Sequence, residues 1–394
     1  MAYSELCRPN DEEYPYAGIP RIVIETENHQ EIKDRETEIP AKMQIWGEKE
    51  AESEIKDLTI RGRGNSSWEM AKKSYKIEFV KKQSLLGMPK DKDWALIANH
   101  ADKSLMRNYI AYRLSAALGA SYAPRCEFVE LYLNGEYLGV YLLTETIKVG
   151  ENRVNIPKND NSYIVEVDGK YNENEQVVFS DVITNNGKGK AFRVHSPKNA
   201  SMAVLDALQN HIQNFEEFIK TIKVGEENNL KDWIDLESFV KHYWVQEFTK
   251  NPDAAFYTSV YFTWVKGEKL RMGPVWDFDL AFGNHHSDEL NQVDTWRIRP
   301  SYWYRALFRS DDYVEMNELF WRQNYNQFVG VLDSIDICRE KLSKSAENNF
   351  KKWNILTSTA SYWHSKSFSS YDDGVDDLKN WIKERILWID SQVK

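Results

Sequence analysis

The sequence predicts an α+β fold, with a β-rich N-terminal portion joined to a mainly helical C-terminal portion. Three observations carry that expectation. Short alternating or β-branched runs recur from Arg21 to Thr146. The pair Asn134-Gly135 sits between two such runs, where a type I′ turn needs positive φ at both central residues. From Ser201 onward the apolar spacing turns helical, broken once by a β-like pair.

Residues 1–18 are polar and contain proline, and read as an N-terminal arm. RIVIET (Arg21–Thr26), KMQIW (Lys42–Trp46) and DLTIRGRG (Asp57–Gly64) read as strands separated by charged or turn-prone stretches. In SYKIEFV (Ser74–Val80), Tyr75, Ile77 and Phe79 fall on one face, and Ser74, Lys76 and Glu78 on the other. A helix is expected over Lys103–Leu118, with Asp102 as N-cap, a stripe of Leu105, Ile110, Leu114 and Leu118, and Gly119 to close it. Cys126–Thr146 holds the Asn-Gly hairpin, and YIVEV, QVVFS and KAFRV follow as short strands. Two helical stretches come next, then SVYFTW and KLRMGPVW as a β pair, then a helical, aromatic-rich remainder. The expected organisation is an arm at 1–18, a β-rich lobe at 19–147 with a glycine/arginine loop, and a mainly helical lobe at 148–394.

Bulk composition narrows the function. A formal charge of −10 argues against a general nucleic-acid binder, which needs a basic face. Cys7, Cys126 and Cys338 are odd in number, far apart and outside any metal spacing, so inert thiols are expected. No apolar run approaches the ~20 residues of a bilayer span. The first residues lack the basic and apolar regions of a signal peptide, so the chain reads as cytosolic or as already processed. The supply of 14 Trp, 21 Tyr and 17 Phe is rich, as in proteins that grip sugars or peptides.

Two constellations could carry chemistry. RGRGNSSW (Arg61–Trp68), with Lys72 and Lys76 after it, offers glycines that admit a phosphate and basic groups that would satisfy its oxygens. It fits no P-loop, dinucleotide or kinase glycine-loop spacing, and a hairpin with solvated Arg and Lys is the plain alternative. The second is NPDAAFYTS followed by GPVWDFDLAFGN (Gly273–Asn284), which separates Asp253 and Asp277 by the β pair. Asp277 and Asp279, at i and i+2, would share one side of an extended strand end while Trp276 and Phe278 face the core. Converging carboxylates call for a cation, and carboxylates with open water positions suit Mg²⁺ or Mn²⁺ better than Zn²⁺. Solvated or arginine-paired aspartates are the alternative. His285-His286 and Arg107 read as a loop pair and a structural arginine, with metal contact and anion binding as their respective alternatives.

RGRGNSSW with KKSYKIEF, DKSLMRNYIAYRLSAALG, LYLNGEYLGVYLLTETI, and NPDAAFYTSVYF with KLRMGPVWDFDLAFGN together resemble the spore-coat CotH family of atypical, protein-kinase-like proteins. The likeness runs from about Ile22 to Trp381, and WDFD-x-x-FG is its most diagnostic block. It implies an atypical protein-kinase-like fold that uses ATP with Mg²⁺ or Mn²⁺ and phosphorylates Ser or Thr of a protein substrate. By position, Asp253 would be the catalytic aspartate, Asp277 the chief metal ligand and Asp279 its helper. Arg61, Arg63, Lys72 and Lys76 would lie on the phosphate-binding side, and Glu145 near the lobe connection. The family also implies a bacterial surface or exported setting. One departure stands out: common kinases place a metal-binding asparagine five residues after the catalytic aspartate, and here that residue is Thr258. Two rival classes remain at this point, a catalytically silent nucleotide-binding or coat scaffold and a carbohydrate-active protein with paired carboxylates.

Overall fold

Tyr75, Ile77 and Phe79 are all buried, as their alternation requires, and they mark the inside of a closed barrel. The computed structural model describes residues 6–172, 174–185, 187–359 and 366–393, so the first five residues of the expected arm lie outside it. The chain divides into two compact units. One comprises Met1–Tyr109, Arg125–Thr146 and Asp333–Lys379, and the other Ile110–Pro124, Ile147–Leu332 and Asn380–Lys394.

The first unit holds the barrel. Its strands are β1 (Arg21–Thr26), β2 (Ile39–Trp46), β3 (Lys56–Arg63), β4 (Ser74–Gln83), β5 (Asp91–Ile97), β6 (Cys126–Leu133) and β7 (Glu136–Glu145). They run in the order β1-β2-β3-β4-β5-β7-β6, and parallel pairing of β1 with β6 closes the ring. Ile22, Ile24, Ile60, Ile77, Trp94, Leu96 and Leu143 fill the interior. Asn134 (φ 52) and Gly135 (φ 81) make the expected primed turn between β6 and β7. The strand β5 was not expected from the sequence. Its apolar residues Trp94, Ala95 and Leu96 form a continuous buried run behind a charged start, which gives no alternation to read.

Helix α1 (Arg107–Ala117) starts four residues later than its apolar stripe predicts. Asp102 does cap, but across a turn: its Oδ1 accepts the Ser104 N–H at 2.9 Å and its Oδ2 the Arg107 N–H at 2.8 Å. Leu105, at φ 64, breaks the helix within that turn. Gly119 (φ +78) ends α1 as expected, a backbone setting that favours glycine.

The second unit is built on a sheet of order β12-β11-β8-β10-β9. Its strands are β8 (Ser162–Val167), β9 (Val177–Asn185), β10 (Lys188–Ser196), β11 (Val260–Val265) and β12 (Arg271–Met272). Helices α2 (Met202–Lys220), α3 (Leu230–Trp233) and α4 (Leu236–Phe248) lie between β10 and β11 in the chain. After β12 come α5 (Asp288–Asn291), α6 (Tyr302–Leu307), α7 (Asp311–Val329), α8 (Val331–Lys352) and α9 (Tyr371–Gln392). The α+β class is therefore observed, with strands leading and helices dominating the C-terminal half. Much of the aromatic surplus goes into this unit's core, where Trp244, Trp303, Trp321, Tyr243, Tyr304 and Tyr313 are fully buried. Among the described residues no helix is long and apolar enough to cross a membrane. None of the three cysteines is in a disulfide, with Cys126 and Cys338 buried and Cys7 exposed.

Candidate metal and phosphate site

The segment after α4 and the segment after β12 are laced together by one buried asparagine. Asn251 Oδ1 accepts the Asp253 N–H at 3.2 Å, while its Nδ2 donates to the Asp277 carbonyl and to Gln246 Oε1, each at 3.0 Å. Below that, the Phe282 N–H donates to the Thr249 carbonyl at 2.8 Å. Both aspartates of the pair thus hang on the same short lattice. Ser259 adds a hydroxyl 3.5 Å from Asp277 Oδ2.

Trp276 and Phe278 are buried as expected, against Tyr112 at ring-centroid distances of 5.7 and 6.0 Å. The extended backbone assumed for Asp277 and Asp279 is corrected by the structure. Asp277 has φ 66, in the left-handed region, so the chain turns at this residue and the i, i+2 rule of a strand no longer places the two carboxylates together. Asp279 belongs to the turn that follows, where its carbonyl accepts the Asn284 Nδ2 at 2.6 Å. A non-glycine residue held at positive φ costs of order 1 kcal/mol and recurs where geometry serves a site.

Asp253 is held well above the usual carboxylate range, first by burial and then by the charge of Asp277, with Asp168 adding to it. Lys170 and Arg297 pull the other way. A carboxyl whose proton affinity is raised by a neighbouring carboxylate is one that a nearby cation would help to ionise. Asp168 went unnoticed in the sequence. It is 1% exposed, directly after β8, and accepts from the Lys170 N–H at 2.8 Å, Thr258 Oγ1 at 3.3 Å and Arg193 at 3.2 Å. Its local signal was an aspartate closing a buried strand just before a glycine, in VEVDG. Thr258, the residue that departs from the common kinase pattern, is engaged by this carboxylate.

Among the described residues, no group of three or more His, Cys, Asp or Glu converges to cage a metal ion. The donors at hand are hard carboxylate oxygens, the donor type that Mg²⁺ or Mn²⁺ takes. The rings of His285 and His286 lie 4.0 Å apart, and His285 Nδ1 accepts the Ser287 N–H at 3.0 Å. Burial, then His286, brings His285 down to about 4.

The other sequence-predicted residues belong to the barrel unit. Arg61 and Lys76 are cross-strand partners, and Arg63 stands opposite Ser74. The Arg61 guanidinium donates to the Arg35 and Gly62 carbonyls and lies 3.7 Å from Glu38. Lys76 sits between Glu78 at 3.1 Å and Asp93 at 3.0 Å. Lys72 is 1% exposed and gives its ammonium to the carbonyls of Ala98 and Val140 and to Asn349 Oδ1. Burial holds Lys72 well below its ordinary value. Glu145, also buried, takes the Arg125 Nε at 2.9 Å and the Arg125 N–H at 3.1 Å. Arg107 pairs with Asp102 and Ser104, the structural role foreseen for it. Within the glycine/arginine loop, Gly62 leaves room for a side chain of the protein itself: a Cβ there would fall 2.3 Å from the Trp68 ring.

Residues 60–389 match the model of a family described as CotH kinase protein. A curated relative, Inner spore coat protein H of Bacillus subtilis (strain 168), is 34% identical over 91 residues, which is 23% of this chain and 24% of that protein. The match therefore spans about a quarter of the relative's length.

Proposed function

The chain belongs to the CotH family, and we propose that it is an atypical protein kinase that transfers the γ-phosphoryl group of ATP to a Ser or Thr hydroxyl of a protein. The observation that carries this reading is the Asp253/Asp277 pair, tied together through Asn251, with the charge of Asp277 raising the proton affinity of buried Asp253. A bound Mg²⁺ or Mn²⁺ would neutralise phosphate charge. Asp277, with Asp279 near it in the chain, would hold that ion. Asp253 would orient the acceptor hydroxyl and take its proton as the oxygen bonds to the γ-phosphorus and the bond to the ADP oxygen breaks. Its raised proton affinity makes it a stronger acceptor than an exposed aspartate. Asn251 would fix the spacing of the two roles, since positioning is most of what phosphoryl transfer asks of a protein. The relative's name puts that protein in an inner spore coat, and a surface-associated acceptor protein is the matching proposal here.

One observation favours a second reading, a nucleotide-binding scaffold without turnover. Thr258 stands where common kinases carry a metal-binding asparagine, and its hydroxyl is occupied by Asp168. Labelled ATP, Mn²⁺ or Mg²⁺ and a Ser/Thr-containing acceptor separate the two. Wild-type protein is expected to transfer label, with Asp253→Asn and Asp277→Ala each slower by at least about a hundredfold. Binding of ATP with no transfer would favour the scaffold, and transfer retained by both variants would refute the assigned roles.

A further inference from the structure

We propose that Lys170 and Arg297 form the phosphate-holding side of the Asp253/Asp277 site, their side chains binding oxygens of the nucleotide's phosphates. The inference rests on the reading of Asp253 and Asp277 given above, and it names residues that neither the family motif nor the glycine/arginine loop marks.

An anion site needs cations with donors to spare, and those expected from the sequence have their donors in use. Lys72 spends its ammonium on two carbonyls and an amide oxygen, and Lys76 lies between two carboxylates. Arg297 differs. Its terminal nitrogen donates to the Pro252 carbonyl at 3.2 Å, which ties the guanidinium to the residue before Asp253. Its Nε is buried and has no acceptor among the described residues. A guanidinium carries five N–H donors, so most of the fork remains for a ligand.

The backbone beneath Arg297 is fixed with unusual thoroughness. Glu247 of α4 accepts the N–H groups of Arg297, Ile298 and Arg299 at 2.7, 2.7 and 2.8 Å. Arg385 of α9 donates to Glu247 Oε1 at 2.9 Å and to the carbonyls of Val293 and Thr295. Lys250 donates to the carbonyls of Glu289, Gln292 and Asp294. Three buried or half-buried charges therefore hold the end of α5 and the irregular stretch after it, 292–299, and present Arg297 beside Asp253. Such a pre-set donor loses little entropy when it meets an anion.

Lys170 reaches the site by another route. Asp168 accepts both the Lys170 N–H and the Thr258 hydroxyl, and the Thr258 N–H donates to the Asp253 carbonyl at 3.3 Å. The Lys170 side chain is exposed, on the loop that this backbone chain ties to Asp253. Two cations beside two carboxylates make a combined seat for a metal and the phosphate oxygens it bridges.

Titration calorimetry with Mn·ATP and with Mn²⁺ plus inorganic tripolyphosphate tests the assignment without relying on turnover. Lys170→Met and Arg297→Met should each weaken both ligands by about tenfold, and the double variant by about a hundredfold. Arg297→Lys should recover part of the loss, because it restores the charge but not the fork. Lys170→Met changes an exposed loop side chain, so its unliganded Tm should match wild type and exclude misfolding as the cause. A double variant that binds like wild type would overturn the inference, and if it still transfers label the Asp253/Asp277 reading survives. Wild-type protein that binds neither ligand would overturn both.

Discussion

At the scale of single residues, the chain separates positions that shape the fold from positions that shape the site. Gly62 is the clearest case of the first kind. Its sequence setting, Arg-Gly-Arg-Gly, resembles a phosphate cradle, yet its open face is filled by the Trp68 ring, and its N–H donates to the Asp34 carbonyl at 3.0 Å. Gly62→Ala should therefore destabilise the protein by about 1–3 kcal/mol through overpacking. Urea unfolding checks this, and unchanged stability would return the glycine to the phosphate-cradle reading. Asp277 is the opposite case, a non-glycine residue kept at φ 66 where glycine would be easier. The sequence revealed the aspartate and its spacing from Asp253, but not its turn, because the φ of one residue depends on the lattice of Asn251, Ser259 and Phe278 around it.

At the scale of elements, local signals were legible where chemistry decides conformation within a few residues. The strand β1 and the Asn134-Gly135 turn appear where the sequence put them, and so does the glycine stop at Gly119. Closure of the barrel was not legible. It depends on β1 meeting β6 in parallel, a pairing more than a hundred residues apart with no local mark. The same holds for Asp168. Antiparallel pairing of β8 with β11, which sets Val167 opposite Val260, brings it to Thr258 across a gap in the chain that holds two strands and three helices. The stretch 293–299 depends likewise on α4 and α9 through the fully buried Glu247–Arg385 pair. Arg385→Met leaves Glu247 buried without its cation and should cost about 3–5 kcal/mol. Hydrogen exchange at Arg297, Ile298 and Arg299 should quicken in that variant more than in the α2 backbone. Equal quickening everywhere would mean that the pair supports the fold generally and not this stretch.

At the scale of the whole molecule, buried histidines make the stability of the fold depend on pH. Burial holds His242 at about 3 and His211 at about 4, against an ordinary value of 6.5. As pH falls below 6.5 the unfolded chain takes these protons first. The stability present above that pH is therefore lost toward pH 4, at up to about 1.4 kcal/mol per pH unit for each histidine. His242→Gln should flatten the dependence of Tm on pH between 6.5 and 4.5, and an unchanged slope would refute the assignment. The family match covers 60–389, so β1 and β2 of the barrel lie outside it while Asp168, Asp253, Asp277 and Arg297 lie within. In the proposed function, Asp253 and Asp277 form a divalent-cation seat that nucleotide phosphate completes. The most direct test is a Mn²⁺ titration followed by electron paramagnetic resonance, with and without ATP, on wild type and Asp277→Ala. ATP is expected to tighten Mn²⁺ binding to wild type, and Asp277→Ala to lose both the ion and this effect. Equal Mn²⁺ binding by the two proteins, in the presence of ATP, would contradict it.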